Sequence, residues 1–250
     1  MITEPLAHGQ SFLYRIDPRL RIVAAAVFSC AVAVFEAFPA LAAACGAALA
    51  LLALSGLHSG EVRRRLAVVL GFLLLLWLVL PFTYEGEVAW QIGPLSLYWP
   101  GIALSGRITL KSTAIIAAFT ALAATIPVST LGQALARLRV PAKLVYLLLM
   151  CYRYIFVIEQ EYQRLRTAMK IRGFRPRSSL HTYRSYAYLV GMLFVRAAAR
   201  AERVHQAMCC RGFNGRFHSL AVFPPHPFNR WFAVTAASVM IALLVLEWVN

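Results

Sequence analysis

Long apolar runs alternate with short polar or proline-marked breaks along most of this chain. Five runs reach the length of a membrane-crossing helix, about 20 mostly apolar residues: 22–38, 40–57, 66–82, 104–126 and 231–249. Pro39 separates the first two, with a short turn expected at Phe38-Pro39, and Pro127 follows the fourth. Trp231 and Trp248 bracket the fifth, where amphipathic aromatics meet the two membrane surfaces. Between the third and fourth runs, 84–101 contains no Lys or Arg, and its segment from Val88 to Tyr98 predicts a small hairpin or an extended loop.

The pattern changes after residue 127. Ser129 or Thr130 is the expected N-cap of a short basic helix over 131–139. Pro141 then suits the first turn of a long helix ending near Arg172. Its apolar positions Ile155, Ile158, Tyr162, Leu165 and Met169 step by three or four, and Arg153, Arg164, Arg166 and Lys170 fall largely off that stripe. After a linker at 175–179, a second long helix is predicted from about Thr182 to Arg211. Its stripe is Val190, Leu193, Ala197, Ala201, Val204 and Met208, with Arg196, Arg200 and Arg203 expected on the opposite face. The packing of the two helices is accordingly assigned to Ile158, Tyr162, Leu165 and Met169 against Ala197, Val204 and Met208. At 1.5 Å per residue each helix is roughly 45 Å long.

Composition turns these runs into a class. The chain has 250 residues, of which 60% are hydrophobic and 14% charged. Soluble domains carry about 25% charged residues, so the expected fold class is an all-α integral membrane protein with about five transmembrane helices and a domain of long amphipathic helices. The domains read as a membrane part over 1–127, a helical domain over 128–213, and a loop with a last span over 214–250. The polar start through Arg21 predicts no cleavable signal peptide.

Charge sets the orientation. Of the net +15, residues 131–230 carry +14, from 17 Lys/Arg and the three acids Glu159, Glu161 and Glu202. Arg15, Arg19 and Arg21 precede the first span and Arg63, Arg64 and Arg65 the third. The positive-inside rule therefore puts the N-terminus and 128–230 in the cytoplasm. The run 143–158 is apolar enough to offer a sixth crossing, but that would export the Arg-rich stretch 164–184. Arg107 and Lys111 sit within the fourth span, where they snorkel or face a helix interface.

The two long helices end on one pattern. Ala168-Met169-Lys170-Ile171-Arg172-Gly173-Phe174 recurs 39 residues later as Ala207-Met208-Cys209-Cys210-Arg211-Gly212-Phe213. A cation at a helix C-terminus gains roughly 0.3–1 kcal/mol from the dipole, and Gly stops a helix. Those two facts explain Arg and Gly but leave the repeated Ala, Met and Phe unexplained. Two equivalent docking points for a two-fold partner would use all of them. Ala168 and Ala207 would permit close approach, Arg172 and Arg211 would fork to carboxylates or carbonyls, and Phe174 and Phe213 would anchor in apolar pockets.

On these residues the chain resembles the transmembrane T component of energy-coupling-factor importers, in particular the cobalt-type CbiQ branch. The family's short Ala-Arg-Gly-like signatures correspond to Ile171-Arg172-Gly173 and Cys210-Arg211-Gly212, with Ile and Cys where the family has Ala. Asp17-Pro18-Arg19, Leu138-Arg139-Val140-Pro141, Tyr152-Arg153-Tyr154 and Glu161 are similar as well. The resemblance implies a multi-pass protein of the cell inner membrane whose coupling helices dock on two ABC-type ATPase subunits, with Ala168, Arg172, Gly173, Phe174, Ala207, Arg211, Gly212 and Phe213 as the docking residues. It also implies a membrane-embedded, CbiM-like S component and a small accessory membrane subunit. ATP and magnesium would belong to the partner ATPase, no cofactor to this chain, and cobalt ion would be the cargo, with nickel, biotin or another vitamin as alternatives.

Other chemistries have little support. The chain contains no G-x-x-x-x-G-K-[ST] phosphate loop and no G-x-S-x-G elbow, which argues against a catalytic role. Its five cysteines form no C-x-x-C and its six histidines no i, i+4 pair, so no metal ligand is assigned. A lipid or nucleic-acid binder would use the basic region but would not need five spans, and no nucleic-acid partner is assigned. A channel or secondary transporter would need ionisable residues near the midplane, whereas Glu36 and Glu247 lie near span ends.

Overall fold

The computed structural model of the chain describes residues 16–57, 59–83, 88–92, 95–215 and 228–249. They form α1 (Pro18–Val34), α2 (Phe38–Leu54), α3 (Ser59–Thr83), β1 (Val88–Ile92), β2 (Leu95–Tyr98), α4 (Trp99–Leu122), α5 (Val128–Arg137), α6 (Ala142–Ile171), α7 (Leu180–Cys210) and α8 (Phe228–Val249). The expected hairpin is present: β1 and β2 pair antiparallel, with a register irregularity between Val88 and Trp90. Everything else of regular structure is helical, and the chain is an all-α integral membrane protein. Among the described residues three helices are long and apolar enough to cross a bilayer, Val62–Thr83, Trp99–Leu122 and Phe228–Val249, and Phe38–Leu54 is a shorter apolar helix.

The described residues fall into two compact units, one within Gly132–Ala221 and the other within Glu4–Leu131 and Val222–Asn250. The second unit is a helix bundle held by small residues. Ala40, Ala44 and Ala48 of α2 and Ala114, Ala117, Ala118 and Ala121 of α4 are almost wholly buried and belong to one cluster. Between apolar helices in lipid there is no hydrophobic drive to associate, so close backbone approach and dispersion must hold the bundle. Alanine at three- and four-residue spacing supplies that approach. Gly101 extends it to α3: a Cβ there would lie 2.7 Å from the Leu80 carbonyl oxygen and 2.9 Å from Pro81 Cα.

Polar contacts fix the ends of this bundle. Asp17 caps α1 by accepting from the Arg19 N–H (3.0 Å), while its own N–H donates to Asn229 Oδ1 (3.0 Å). At the other end Glu247 accepts from the N–H groups of Glu36 (2.8 Å) and Ala37 (3.2 Å), placing a carboxylate at the positive end of α2. α1 and α8 therefore start together and finish together, as parallel neighbours. Arg21 is buried and donates to Thr125 Oγ1. Lys111 Nζ donates to the Ala33 carbonyl in the last turn of α1 (2.9 Å), and the Arg107 guanidinium lies 5.2 Å from the Phe38 ring centre. Of the two expectations for these cations, the helix interface is the one realised.

Several predicted boundaries move. The turn between α1 and α2 falls at 35–37, and Pro39 lies in the first turn of α2, where its missing N–H has no helical acceptor to lose. α4 starts earlier than predicted, at Trp99, and ends at Leu122. α3 starts at Ser59 and so takes in Arg63, Arg64 and Arg65. α5 starts at Val128, with the Leu131 N–H donating to the Pro127 carbonyl (2.8 Å), so Ser129 and Thr130 lie inside its first turn rather than capping it. Pro141 stands one position before α6, at its N-cap.

Candidate functional site

The unit within Gly132–Ala221 carries both copies of the repeated ending, and the two are built alike. At the end of α6 the Phe174 N–H donates to the Met169 carbonyl (3.1 Å) and the Gly173 N–H to the Lys170 carbonyl (3.0 Å). At the end of α7 the Phe213 N–H donates to Met208 (3.0 Å) and the Gly212 N–H to Cys209 (3.0 Å). Each is a Schellman closure, a six-to-one bond around a five-to-two bond. It requires a left-handed residue just past the cap, and Gly173 (φ 77°) and Gly212 (φ 79°) supply it.

This motif assigns a local role to most of the signature. The closure brings the residue after Gly beside the residue that accepts the outer bond, and an apolar pair there stabilises it. Those two residues are Met169 and Phe174 in one copy and Met208 and Phe213 in the other. The phenyl rings also turn onto the chain's own aromatics. Phe174 lies 5.8 Å from Tyr186, edge to face, and 6.3 Å from His181, while Phe213 lies 6.4 Å from Tyr146. Phe174 and Phe213 are half-buried against these neighbours, so each ring already has a contact within this chain. The local closure leaves two residues of the pattern unexplained, Ala and Arg. Ala168, Ala207, Arg172 and Arg211 are all exposed, the arginines at the C-cap of each helix.

The helices run antiparallel, and contacts mark three levels. Tyr146, near the start of α6, meets Met208 and Phe213, with its hydroxyl 3.8 Å from Met208 Sδ. At mid-length Arg196 pairs with Glu161, whose other oxygen lies 3.7 Å from Arg164 Nη1. At the far level Phe174 meets Tyr186. The Phe174–Tyr186 contact, carried over by the 39-residue offset of the repeat, falls within one residue of the Phe213–Tyr146 contact. The pair thus has an approximate local two-fold axis, and its exposed arginines lie at opposite ends. From Tyr146 to Arg172 the rise along α6 puts them roughly 40 Å apart.

Mid-length packing differs from the sequence expectation. A cavity of about 200 Å³ between the helices is lined by Tyr154, Val157, Ile158, Glu161, Leu193, Arg196, Ala197, Arg200 and Ala201. Ile158, although 46% exposed, and Ala197 border this cavity, and Tyr162, Leu165, Met169, Val204 and Met208 are half-buried. Arg196 and Arg200, however, border α6 instead of facing away from it. Both flank Leu193 and Ala197 on a wide helix face, and Arg196 reaches across to a carboxylate that a simple apolar stripe does not register. The largely covered Glu161, 12% exposed, is the interhelical partner the periodicity missed. Its signal was its place as one of only three acids, with Glu159 and Glu202, in a strongly basic stretch.

Among the described residues no cluster of three His, Cys, Asp or Glu side chains could hold a metal ion. His205 Nε2 and Cys209 Sγ come within 3.7 Å on one exposed side of α7.

The chain is similar to curated transport proteins along most of its length. It is 31% identical over 137 residues to the cobalt transport protein CbiQ of Rhodobacter capsulatus, a match spanning 54% of this chain and 55% of that one. It is 29% identical over 188 residues to the cobalt transport protein CbiQ of Salmonella typhimurium, covering 69% and 83%. It is 26% identical over 217 residues to the energy-coupling factor transporter transmembrane protein EcfT of Thermosediminibacter oceani, covering 83% and 82%. The family model described as cobalt transport protein, CbiQ, matches residues 9–220, and both helix endings lie inside that match, so the chain belongs to the CbiQ family.

Proposed function

We propose that this chain is the transmembrane T component of an energy-coupling-factor importer, and that its cargo is cobalt ion. The observation that carries the reading is the pair of structurally equivalent helix ends, each holding an exposed arginine, at opposite ends of one antiparallel pair. A partner with two equal sites is the simplest complement to two equal ends. ATP hydrolysis by a pair of ABC-type ATPase subunits would change the spacing of those sites, and the α6–α7 pair would carry the movement to the membrane helices and a CbiM-like S component. This chain contributes no catalytic residue; it transmits force. Cobalt is favoured by the names of the CbiQ relatives.

The parallel arrangement of α1 and α8 supports an odd number of crossings, which five spans satisfy and six do not. With the positive-inside rule, the N-terminus and α5–α7 are then cytoplasmic, within reach of a soluble ATPase. The test is co-purification. Arg172→Glu with Arg211→Glu should abolish capture of the ATPase pair, and either change alone should weaken it about 10–100-fold, the loss of one charge-assisted contact. Full assembly of the double variant would refute the docking role. Metal analysis of cells expressing the complete importer separates cobalt from nickel or an organic cargo.

A further inference from the structure

We infer that the groove between α3 and α4 at the Arg64–Arg65 end is a binding site for one anionic phospholipid. The groove holds about 470 Å³ and is lined by Arg64, Arg65, Val68, Val69, Ile115, Ile116, Phe119 and Thr120. Its walls come from two antiparallel helices. Trp77 Nε1 donates to Thr109 Oγ1 (2.9 Å) and Gly101 abuts Leu80 and Pro81, which sets Arg65 level with Phe119, and Val69 level with Ile115. The cations thus stand at one end of the groove and apolar side chains continue from them toward the middle of the helices. One turn further along α3, Phe72 is 65% exposed and prolongs the same line of residues as Arg64 and Val68.

Two features choose the occupant. Among the described residues no acidic side chain lines the groove, and neither Arg64 nor Arg65 is engaged in an ion pair. Two adjacent, exposed guanidinium groups fit a phosphate diester, to which each can donate two parallel N–H bonds. The apolar continuation has to be filled by something covalently joined to that anion. A phosphoglyceride has this order of parts, with the phosphate at the membrane surface and acyl chain immediately beneath. A free anion would leave Val68, Val69, Ile115 and Phe119 uncovered, and a neutral headgroup would leave both arginines without a counter-charge. Clustered basic residues at the end of membrane helices recognise anionic headgroups on the same physical grounds.

Native mass spectrometry of the full chain in detergent, titrated with dioleoyl phosphatidylglycerol or dioleoyl phosphatidylcholine, tests this. The first phosphatidylglycerol should bind about 10–30-fold more tightly than the first phosphatidylcholine, since each arginine near an anionic surface strengthens binding roughly fivefold. Arg64→Gln with Arg65→Gln should bring the two lipids to parity while leaving phosphatidylcholine binding unchanged, which also reports that the variant is folded. Ile116→Trp, which fills the groove, should weaken the first binding event for both lipids. Equal binding by the unmodified chain would overturn the site. So would a preference that survives the double arginine change, or one equally reduced by Arg166→Gln with Arg203→Gln, which removes the same charge elsewhere. Loss of bound phosphatidylglycerol when the chain is co-purified with its membrane partner would reassign the groove to a protein interface and overturn it too.

Discussion

Glu161 reaches from α6 to Arg196 of α7, and removing its charge should loosen the pair at mid-length. Its carboxylate meets Arg196 from across the interface and, at 3.7 Å, Arg164 from its own helix. Exposed ion pairs are worth about 0.2–1 kcal/mol, and the Arg164 contact, 73% exposed on the Arg side, belongs in that range. The Arg196 contact differs because Glu161 is only 12% exposed and Arg196 47%. At an effective dielectric near 20, unit charges 4 Å apart attract by about 4 kcal/mol. Desolvation and side-chain ordering remove more than half of that, leaving about 1–2 kcal/mol. Glu161→Gln keeps the shape and an acceptor but leaves Arg196 beside Arg200 with no counter-charge.

Hydrogen exchange of the full chain in nanodiscs measures the effect where it occurs. Glu161→Gln should raise exchange of the mid-length amides of α6 and α7 about 5–30-fold, equivalent to about 1–2 kcal/mol of local opening. Arg196→Gln should do nearly the same. In the double variant the losses should fall short of their sum by about 1 kcal/mol, the coupling a direct pair must show. Additivity within about 0.3–0.5 kcal/mol would refute the pair as a structural element. If α6 and α7 transmit force as a unit, Glu161→Gln should also lower transport by the assembled importer while ATPase capture stays intact.

Further tests address other contacts. Gly173→Ala and Gly212→Ala should each cost about 1–2 kcal/mol at the last helical turn, because both glycines have left-handed φ, and exchange of the final amides of α6 or α7 should rise accordingly. Gly101→Ala should lower the melting temperature of the membrane unit, since its Cβ would press on the α3 backbone, whereas Gly71→Ala, with nothing within 4 Å, should be neutral or stabilise by up to about 1 kcal/mol. Glu247→Gln should cost about 1–2 kcal/mol by weakening the bonds at the start of α2, read as a melting shift of the purified chain.

What could be read from the sequence was what neighbouring residues decide. Apolar runs predict the helices, and the segment from Val88 to Tyr98 predicts a hairpin or an extended loop, of which the hairpin is realised. Boundaries shift where a proline stands in the first turn of a helix instead of between two helices, as at Pro39. Long-range polar contacts were out of reach for a different reason. Arg21 with Thr125, Glu247 with the start of α2, and Lys111 with the end of α1 join residues at least 78 positions apart. Each looks locally like a misplaced charge, and only the bundle supplies the partner. The same holds for Arg196, whose position on a helical wheel suggests solvent until α6 brings Glu161 to it.

The repeated ending shows how a structure can narrow a motif without removing its function. Read as sequence, its Ala, Arg and Phe point outward to a partner, while Gly also serves as a helix stop and Met lies on the packing stripe. In the folded chain Gly makes the left-handed turn, Met and Phe close it, and Phe also braces the neighbouring helix. A stop signal alone therefore accounts for Met, Gly and Phe, and their recurrence is no argument for docking. It does not account for the small exposed residue one turn before the cap, or for two exposed arginines held by closely similar backbone geometry at opposite ends of one pair. Any residue can occupy the cap position of such a closure, and the dipole gains little more from Arg than from Lys. What Arg adds is a planar fork, and what the closure adds is a fixed direction for its backbone. The docking proposal thus rests on Ala168 and Arg172 and on Ala207 and Arg211. Arginine-to-lysine changes at 172 and 211 examine it most narrowly: they keep charge, dipole and helix stop, so a fall in ATPase capture would come from the lost fork alone.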